Sequence, residues 1–386
     1  MNKSRLIDAV KRNKFVYNLY YHCVTTAINI LKLFVRTDSK LILFVSYGGR
    51  YFNDSPKCIY EEMCSDPRFN GYKLIWAFRD VNNFDIKDAI KIDSIHYFIT
   101  AIKARCWVTN VAIERGLGFK GKKTFYFHTT HGTLPKLSGY DSTRGLSFSS
   151  NIGYQFDCSC AQSEIEAQYQ LHMYNLKREQ ILVGGYPKND ILTHAGKEDR
   201  NRILKELGIN ENKKIILYAP TYREDKPAEM QSPVDFTVWE KELGSEYVVL
   251  YRAHPVVANK TVIDSSSGFV FDVSSYPNNS ELMIASDCLI SDYSGIFFEY
   301  AVLRRPMFCF AYDYDEYQKN RGLYFDIRDE LPGGHCDEMS LLRLIKCNSP
   351  ETISKVNAFV DKYVTEYGHA TQAAVNKIYQ EIKTGE

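Results

Sequence analysis

The sequence lacks the features that mark several large protein classes. It has no CxxC pair and no Cys/His group at zinc-binding spacing, although it contains ten cysteines. Its formal net charge is only +1, so no overall electrostatic field indicates a nucleic-acid partner. Low-complexity segments and internal repeats are absent as well. Because a chain of 386 residues does not need disulfides, the cysteines favour a reducing, cytoplasmic setting.

The N-terminal region lacks a clean transmembrane span or signal peptide. Residues 15–35 are largely aromatic and aliphatic, but polar residues such as Asn18 and Lys32 interrupt them. Basic residues flank this stretch, so we expect residues 1–40 to form a basic amphipathic segment that lies on an anionic membrane surface. The alternative is an ordinary helix that packs on its own domain.

The sequence does contain a regular alternation of short apolar runs and helix-like stretches. Hydrophobic residues make up 45% of it, an ordinary globular share, and its length favours two domains. We predict strands near residues 41–47, 72–78, 104–110, 123–130, 156–161 and 179–185, and again near 213–220, 247–255, 268–274, 287–294 and 306–313. This order predicts an α/β protein with two doubly wound, parallel, Rossmann-like sheets.

Four segments follow from this pattern. The N-terminal segment precedes a first Rossmann-like domain at 41–195, a second such domain at 196–365, and a C-terminal helix at 366–386. The boundary falls in a charged stretch without aromatic residues. Because ligands bind outside the carboxyl ends of parallel strands, the cleft between the two domains is the expected site.

Two motifs are weak signals. The GxGxxG pattern at 116–121 precedes a predicted strand, whereas a dinucleotide site needs it between a strand and a helix, so we expect a turn there. Asp313-Tyr314-Asp315 is similar to a metal-binding DxD motif in an unusual context. We read it as a loop, and a divalent cation stays possible.

Two histidines lie at predicted strand ends. His131 is followed by Gly132 and Thr133, and its usual pKa range suits a general base near neutral pH. In the second half, Arg252 and His254 are two residues apart and can point the same way from an extended chain to bind a diphosphate. The plain alternatives are that His131 is a loop histidine without catalytic function, that Arg252 forms a surface ion pair, and that His254 lies in a turn before a proline.

A third group follows the strand near 287–294. Ser291 and Asp292 end it, Ser294 is a good helix N-cap, and Gly295 leaves room for a phosphate at the helix start. Glu299, about one turn later, suits a bond to ribose hydroxyls. The plain alternative is a well-capped crossover helix without a ligand.

Several segments together resemble the CDP-glycerol glycerophosphotransferase family, which includes teichoic-acid primases and polymerases. They occur in the family's order and span about residues 40–330, and they read SYGGRYFNDSPKCIYE, HTTHGTLPK, GGYPKNDIL, ILYAPTYRED, YRAHP, SDYSGIFFEYAVLRRPMFCFAYDYDEY and RGLYFD. The resemblance implies a GT-B-like pair of domains that face a central cleft. It implies CDP-glycerol as donor, CMP as leaving group, an undecaprenyl-diphosphate-linked acceptor and peripheral attachment to the cytoplasmic face of the membrane.

The same resemblance assigns expected roles. It makes His131 and His254 the functional histidines and the segment from Asp292 to Ser294 the phosphate-binding turn. We expect His131 to act as base and the loop ending at Asp54 to face the acceptor, together with Gly132 and Thr133. The sequence departs from the family at Gly295, where many members carry serine, and at 221–223, where a tryptophan is common.

Three alternatives stay open. The donor is CDP-ribitol, or the chain is a GT-B nucleotide-sugar glycosyltransferase, or it is a non-catalytic membrane-bound scaffold. A single-addition primase and a polymerase are equally compatible with the sequence, since the long extra N-terminal region of some polymerases is not present in it. We expect neither a nucleic-acid partner nor a required metal.

Overall fold

The computed structural model describes residues 14–132, 135–142, 154–223, 233–254, 263 and 265–384. Two separate sheets, each with all of its strands parallel, organise this part of the chain. The first has seven strands in the order β3-β2-β1-β4-β5-β6-β7, and the second has five in the order β10-β9-β8-β11-β12. In each sheet the order reverses beside the first strand, which is the doubly wound topology.

The strands are short and the helices connect them. The strands are β1 (Asp38–Val45), β2 (Lys73–Phe78), β3 (Ala89–Lys91), β4 (Ala104–Thr109), β5 (Phe125–His128), β6 (Cys158–Ala161), β7 (Ile181–Val183), β8 (Lys214–Tyr218), β9 (Tyr247–Tyr251), β10 (Val270–Asp272), β11 (Cys288–Ser291) and β12 (Met307–Cys309). The helices are α1 (Lys14–Lys32), α2 (Asp54–Ser65), α3 (Ile95–Lys103), α4 (Glu164–Met173), α5 (Asp190–His194), α6 (Lys197–Glu206), α7 (Phe236–Leu243), α8 (Asn279–Ala285), α9 (Ile296–Tyr300), α10 (Tyr314–Arg321), α11 (Ile327–Glu330), α12 (Glu338–Cys347), α13 (Pro350–Tyr363) and α14 (Ala370–Thr384).

Both faces of each sheet are buried, which explains why the strands read as continuous apolar runs. In β1, Leu41 and Leu43 belong to a core cluster on one face, and Ile42 and Phe44 to a second cluster on the other. This is the period of two expected of a strand. In the second sheet, neighbours such as Ile216 and Leu217 divide in the same way between two further clusters.

The predicted fold class is confirmed: the protein is α/β and GT-B-like, with two doubly wound parallel sheets. Most predicted strands appear with bounds a few residues shorter. The sequence reading missed β3, which has three residues and buries one of them. The GxGxxG segment does precede a strand, β5, and forms the connecting turn from β4.

The C-terminal helix α14 crosses back to the first sheet. Its residues Ala374, Val375, Ile378 and Ile382 belong to the same core cluster as Phe44. The carboxylate of Asp190 accepts hydrogen bonds from the backbone N–H groups of Ala370 and Thr371, at 3.0 and 2.7 Å. Because these are the first amides of the helix, Asp190 satisfies donors that have no partner within it.

Helix α1 packs on the first sheet along one face and leaves another face exposed. Ile28 is buried in the core, and Asn29 and Lys32 donate to the backbone carbonyls of Gly118 and Phe119. The opposite face exposes apolar side chains at helical spacing, namely Val16, Leu19, Tyr20 and Ile30, with Leu33 and Phe34 just beyond. No helix among the described residues is long and apolar enough to cross a membrane.

Candidate active site

His131 lies just after β5, at the carboxyl edge of the first sheet. Its Nδ1 is 3.3 Å from the carbonyl oxygen of Asn110. Because a carbonyl only accepts, Nδ1 carries the proton and Nε2 is left as the basic nitrogen. Solvent reaches the ring, yet protein atoms surround it closely. Desolvation, followed by the Lys188 ammonium, lowers the pKa of His131, while Asp54 opposes this shift.

Lys188 connects the two halves of the molecule. It lies in the turn Pro187–Asn189 after β7, and its Nζ is 2.9 Å from Glu299 Oε1 in the second half of the chain. The same Nζ is 3.5 Å from Asp54 Oδ2 and donates to the backbone oxygen of His131 at 3.3 Å. The three charged side chains are only 7–14% exposed. Burial alone would lower the pKa of Lys188, but the carboxylates of Asp54 and Glu299 raise it, so it stays charged.

Asp54 is positioned by the loop that follows β1. Tyr47 donates from its hydroxyl to Asp54 Oδ2 at 2.9 Å, and the N–H of Ser55 donates to Oδ1 at 2.7 Å. Burial and then Asp54 raise the pKa of Tyr47, which keeps that hydroxyl protonated as a donor. The Tyr47 ring also lies 6.4 Å from the His131 ring, centroid to centroid. The loop therefore forms one wall around the histidine.

Backbone strain concentrates in the same place. Tyr47, Asp54 and Thr130 all have positive φ, at 45°, 64° and 54°. Such conformations cost about 1 kcal/mol or more for residues with a Cβ, and they persist where surrounding contacts enforce them. Their position beside His131 agrees with a functional site.

Arg252 and His254 follow β9 on the second sheet. Arg252 Nη1 donates to the carbonyl oxygens of Val273 and Tyr276, at 3.0 and 2.9 Å, which fixes the guanidinium. Burial lowers the pKa of Arg252, and the charge of Glu299 opposes that shift. His254 is exposed and stacks on Tyr222 at 5.6 Å. Desolvation and then Lys136 lower the pKa of His254, which favours its neutral form.

The Asp292 carboxylate is bonded inside the protein. Oδ1 accepts from the N–H groups of Thr221 and Tyr293, at 2.9 and 2.7 Å, and Oδ2 accepts from Arg223 at 2.8 Å. Arg223 also binds both oxygens of Asp313, at 2.8 and 2.9 Å. These contacts favour a role for Asp292 in shaping the turn, and its direct contact with the donor stays a prediction. Asp313, the first residue of the DxD motif, is thus one arm of a buried salt bridge.

The other predicted donor residues surround the start of α9. Ser291 donates to the carbonyl oxygen of Ala219 at 2.6 Å, and Ser294 Oγ accepts from the N–H of Ile296 at 3.2 Å, as a capping side chain does. Helix α9 begins at Ile296, so Gly295 and not Ser294 occupies its cap position, and the helix has only five residues. Glu299 faces the first sheet, where a Cβ on Gly132 would lie 3.9 Å from its Oε1.

The structure therefore brings His131, Gly132, Asp54 and Glu299 together, with Arg252 close enough to Glu299 for their charges to interact. Thr133 lies outside the described residues. Among those that are described, no group of three or more His, Cys, Asp and Glu side chains is placed to hold a metal ion.

Sequence reasoning did not single out Lys188 or Arg223. Lys188 lies within GGYPKNDIL, and Arg223 within ILYAPTYRED, two segments that carry the family resemblance. Their place in these two segments was the signal in the sequence that could have identified them. The carboxylate partners of both residues are more than sixty positions away in the sequence, so spacing gave no indication of them.

Comparisons with known proteins show the family to which the chain belongs. A sequence model of the CDP-Glycerol:Poly(glycerophosphate) glycerophosphotransferase family matches residues 27–382. A teichoic acid poly(glycerol phosphate) polymerase from Staphylococcus epidermidis is 32% identical over 373 residues, which cover 89% of this chain and 51% of that protein. A teichoic acid glycerol-phosphate transferase from Staphylococcus aureus is 30% identical over 393 residues, 95% of this chain and 99% of that protein.

A solved structure is similar along the whole chain. It is a histidine-to-asparagine variant of the wall teichoic acid polymerase TagF soaked with CDPG. The TM-score is 0.83 at 29% identity, with 100% of this chain and 99% of that one covered. The chain thus spans about half the length of the S. epidermidis relative and nearly all of the S. aureus one.

Proposed function

The chain belongs to the CDP-glycerol:poly(glycerophosphate) glycerophosphotransferase family, and we propose that it transfers glycerol phosphate from CDP-glycerol to a hydroxyl group of a lipid-linked acceptor. CMP is the leaving group. The observation that carries the proposal is the meeting of His131, Asp54 and Lys188 from the first sheet with Glu299 from the second. Such a junction holds an acceptor and a nucleotide donor on opposite sides of one reacting centre.

His131 takes the proton of the acceptor hydroxyl. The oxygen attacks the phosphorus nearer the glycerol, the bond from that phosphorus to the bridging oxygen breaks, and the electron pair leaves with CMP. Nε2 is the accepting nitrogen, because the Asn110 carbonyl holds the proton on Nδ1. The lowered pKa of His131 keeps the ring neutral and ready to accept at neutral pH.

Arg252 and His254 bind the donor diphosphate. Within the described structure, the Nε and Nη2 of Arg252 carry no hydrogen bond, whereas Nη1 is fixed by two carbonyls. A planar guanidinium held in this way suits charge that builds on phosphate oxygens in the transition state. Glu299 acts electrostatically on both this arginine and His131 and suits a contact with the donor's ribose, although Lys188 already holds one of its oxygens.

The exposed apolar face of α1 supports attachment to a membrane surface. Its side chains repeat at helical spacing opposite the face that packs on the sheet. A helix of this kind lies in the interface of a bilayer without crossing it. We propose the cytoplasmic face of the membrane, as the family resemblance implies.

The test is CMP release from CDP-glycerol with a lipid-linked acceptor, for the wild-type chain and for His131→Ala. We expect turnover to fall by about 10²–10⁴ in the variant, the usual value of general-base assistance. His96→Ala is the matched control, since His96 is an exposed histidine on α3. Near-normal turnover in His131→Ala would remove this residue from the base role.

The donor itself is tested in the same assay. CDP-ribitol and UDP-sugars are supplied in place of CDP-glycerol. Acceptor-dependent CMP release from CDP-ribitol alone would replace the glycerol assignment by ribitol. UDP release from a nucleotide sugar, with no CMP release from either CDP donor, would replace it by glycosyl transfer.

A further inference from the structure

Two arginine side chains contact the loop that follows β1, and a third arginine belongs to the loop itself. Arg79 Nε donates to the carbonyl oxygen of Gly48 at 3.2 Å, and Arg115 Nη1 lies 3.3 Å from the position of a Cβ on Gly48. Arg50 is two residues further along the same loop. We call Arg50, Arg79 and Arg115 the arginine cluster.

The positive charge of the arginine cluster is not balanced locally. Arg115 forms a two-bond salt bridge with Asp93, at 2.8 and 3.0 Å, through nitrogens other than the one that faces Gly48. Arg50 and Arg79 are exposed and have no carboxylate partner among the described residues. Burial, and next the charges of Arg50 and Arg115, lower the pKa of Arg79, while the carboxylate of Asp93 opposes this shift. Three guanidinium groups and one carboxylate leave a local charge of about +2.

Guanidinium groups that repel one another are stabilised when an anion lies between them. Arginine forks match phosphate oxygens in geometry and retain their charge at any working pH. Gly48 and Gly49 are buried and have positive φ, at 63° and 78°, so this loop depends on glycine for its course beside the arginines. The chemistry of the cluster therefore suits a phosphate or diphosphate group.

The cluster lies next to the proposed base but on the acceptor side. Its loop also carries Tyr47, which bonds to Asp54. The Tyr51 ring lies 5.9 Å from the Tyr47 ring, and Tyr47 lies 6.4 Å from His131. The donor residues Arg252 and His254 belong to the other sheet, so the cluster is separate from them.

The cluster also lies near the N-terminal helix. Arg115 belongs to the same connecting loop as Gly118 and Phe119, whose carbonyl oxygens accept hydrogen bonds from Asn29 and Lys32 of α1. A group bound here is positioned between the helix proposed to lie on the membrane and the histidine proposed to activate a hydroxyl.

We propose that Arg50, Arg79 and Arg115 bind a phosphate group of the acceptor. The inference rests on the proposed function, since it assigns the acceptor side of the same reaction. The phosphate is either the diphosphate of the lipid carrier or the phosphodiester of a polyol phosphate already attached. Both present the same charged oxygens to the three arginines.

The experiment compares Arg50→Gln/Arg79→Gln with the wild-type chain in acceptor titrations, using a short-chain acceptor that is soluble without membranes. We expect the KM for the acceptor to rise at least tenfold, while the KM for CDP-glycerol stays within twofold. Inorganic diphosphate is the competing probe. It should inhibit the wild type competitively against acceptor, and the variant should resist it.

Two controls address folding and general charge loss. Lys241→Gln/Arg343→Gln removes two exposed positive charges from α7 and α12 of the second half and should leave both KM values unchanged. Arg50→Gln alone removes a side chain that makes no hydrogen bond in the described structure, so its acceptor KM should rise without a loss of stability. Arg50→Lys/Arg79→Lys should recover part of the affinity.

Each remaining outcome is decisive. An unchanged acceptor KM in the double variant, with active wild type, would overturn the inference and leave the proposed function intact. No CMP release by the wild type with any acceptor would overturn the proposed function itself. A defect that appears only with membrane-bound acceptor, together with lost binding to vesicles of equal parts phosphatidylglycerol and phosphatidylcholine, would assign the cluster to the membrane surface instead.

Acceptor variants identify the source of the phosphate. If the double variant loses affinity for a diphosphate-linked acceptor that carries no polyol phosphate, the arginine cluster binds the carrier's diphosphate. If the loss appears only after one glycerol phosphate has been attached, the cluster binds the phosphodiester.

Discussion

Replacing Lys188 with methionine removes the ammonium group that bonds to both halves of the protein. Its Nζ lies 2.9 Å from Glu299 and 3.5 Å from Asp54, and all three side chains are largely buried. With an effective dielectric constant of about 20, each attraction is on the order of 5 kcal/mol before desolvation is subtracted. After that subtraction, removal of one partner of a buried pair destabilises a protein by about 3–5 kcal/mol.

The same substitution changes the pH dependence of the reaction. Lys188 lowers the pKa of His131, whereas Asp54 and Glu299 raise it. Without the ammonium, burial still lowers the pKa of His131, but no positive charge opposes the two carboxylates, so that pKa is higher than in the wild type. Because the base must be neutral, activity is lost as the pH falls through this pKa, and the acid limb of kcat/KM moves to higher pH in Lys188→Met.

Two measurements check this prediction. Urea unfolding gives the change in the free energy of unfolding. CMP release between pH 5 and pH 9, roughly the range where histidine titrates, gives the position of the acid limb of kcat/KM. Lys377→Met is the matched control, since Lys377 forms a partly exposed i,i+4 bridge with Glu381 whose loss costs less than about 1 kcal/mol. Equal destabilisation of the two variants, or an acid limb that stays in place or moves to lower pH, would refute the reasoning.

Two further predictions concern stability. Arg223→Met leaves the carboxylates of Asp292 and Asp313 buried without their shared cation. Urea unfolding should show that the free energy of unfolding falls by about 3–5 kcal/mol. Arg223→Lys should not restore it, because lysine lacks the planar fork of arginine. A stability equal to the wild type in Arg223→Met would contradict the role of Arg223 as the shared partner of the two carboxylates. Gly185→Ala should destabilise the protein more than Gly208→Ala by about 1–3 kcal/mol, since both glycines have positive φ but a Cβ on Gly185 would lie 2.6 Å from a backbone oxygen and one on Gly208 meets nothing within 4 Å. An equal decrease of the melting temperature in the two alanine variants would contradict the steric argument.

The sheets could be predicted because their strands are buried on both faces, so each one appears in the sequence as a run of apolar residues. The site could be predicted only in part. His131 stands out because it follows a strong strand and precedes a glycine. Lys188 does not, because a lysine in a polar turn has the appearance of a solvated residue until the fold places Glu299, 111 positions later, beside it. Long-range charge pairing is a property of the tertiary structure, and no local pattern encodes it.

The charges around the junction also explain how the two halves act on one base. Glu299 bonds to Lys188, and its charge acts on both His131 and Arg252. A donor diphosphate that binds at Arg252 adds negative charge near this group. By Coulomb's law that charge favours the protonated form of a nearby histidine and so makes His131 a stronger base. In the proposed reaction we therefore expect His131 to gain basicity once a donor phosphorus is in place to receive the acceptor oxygen, and to be a weaker base in the empty site.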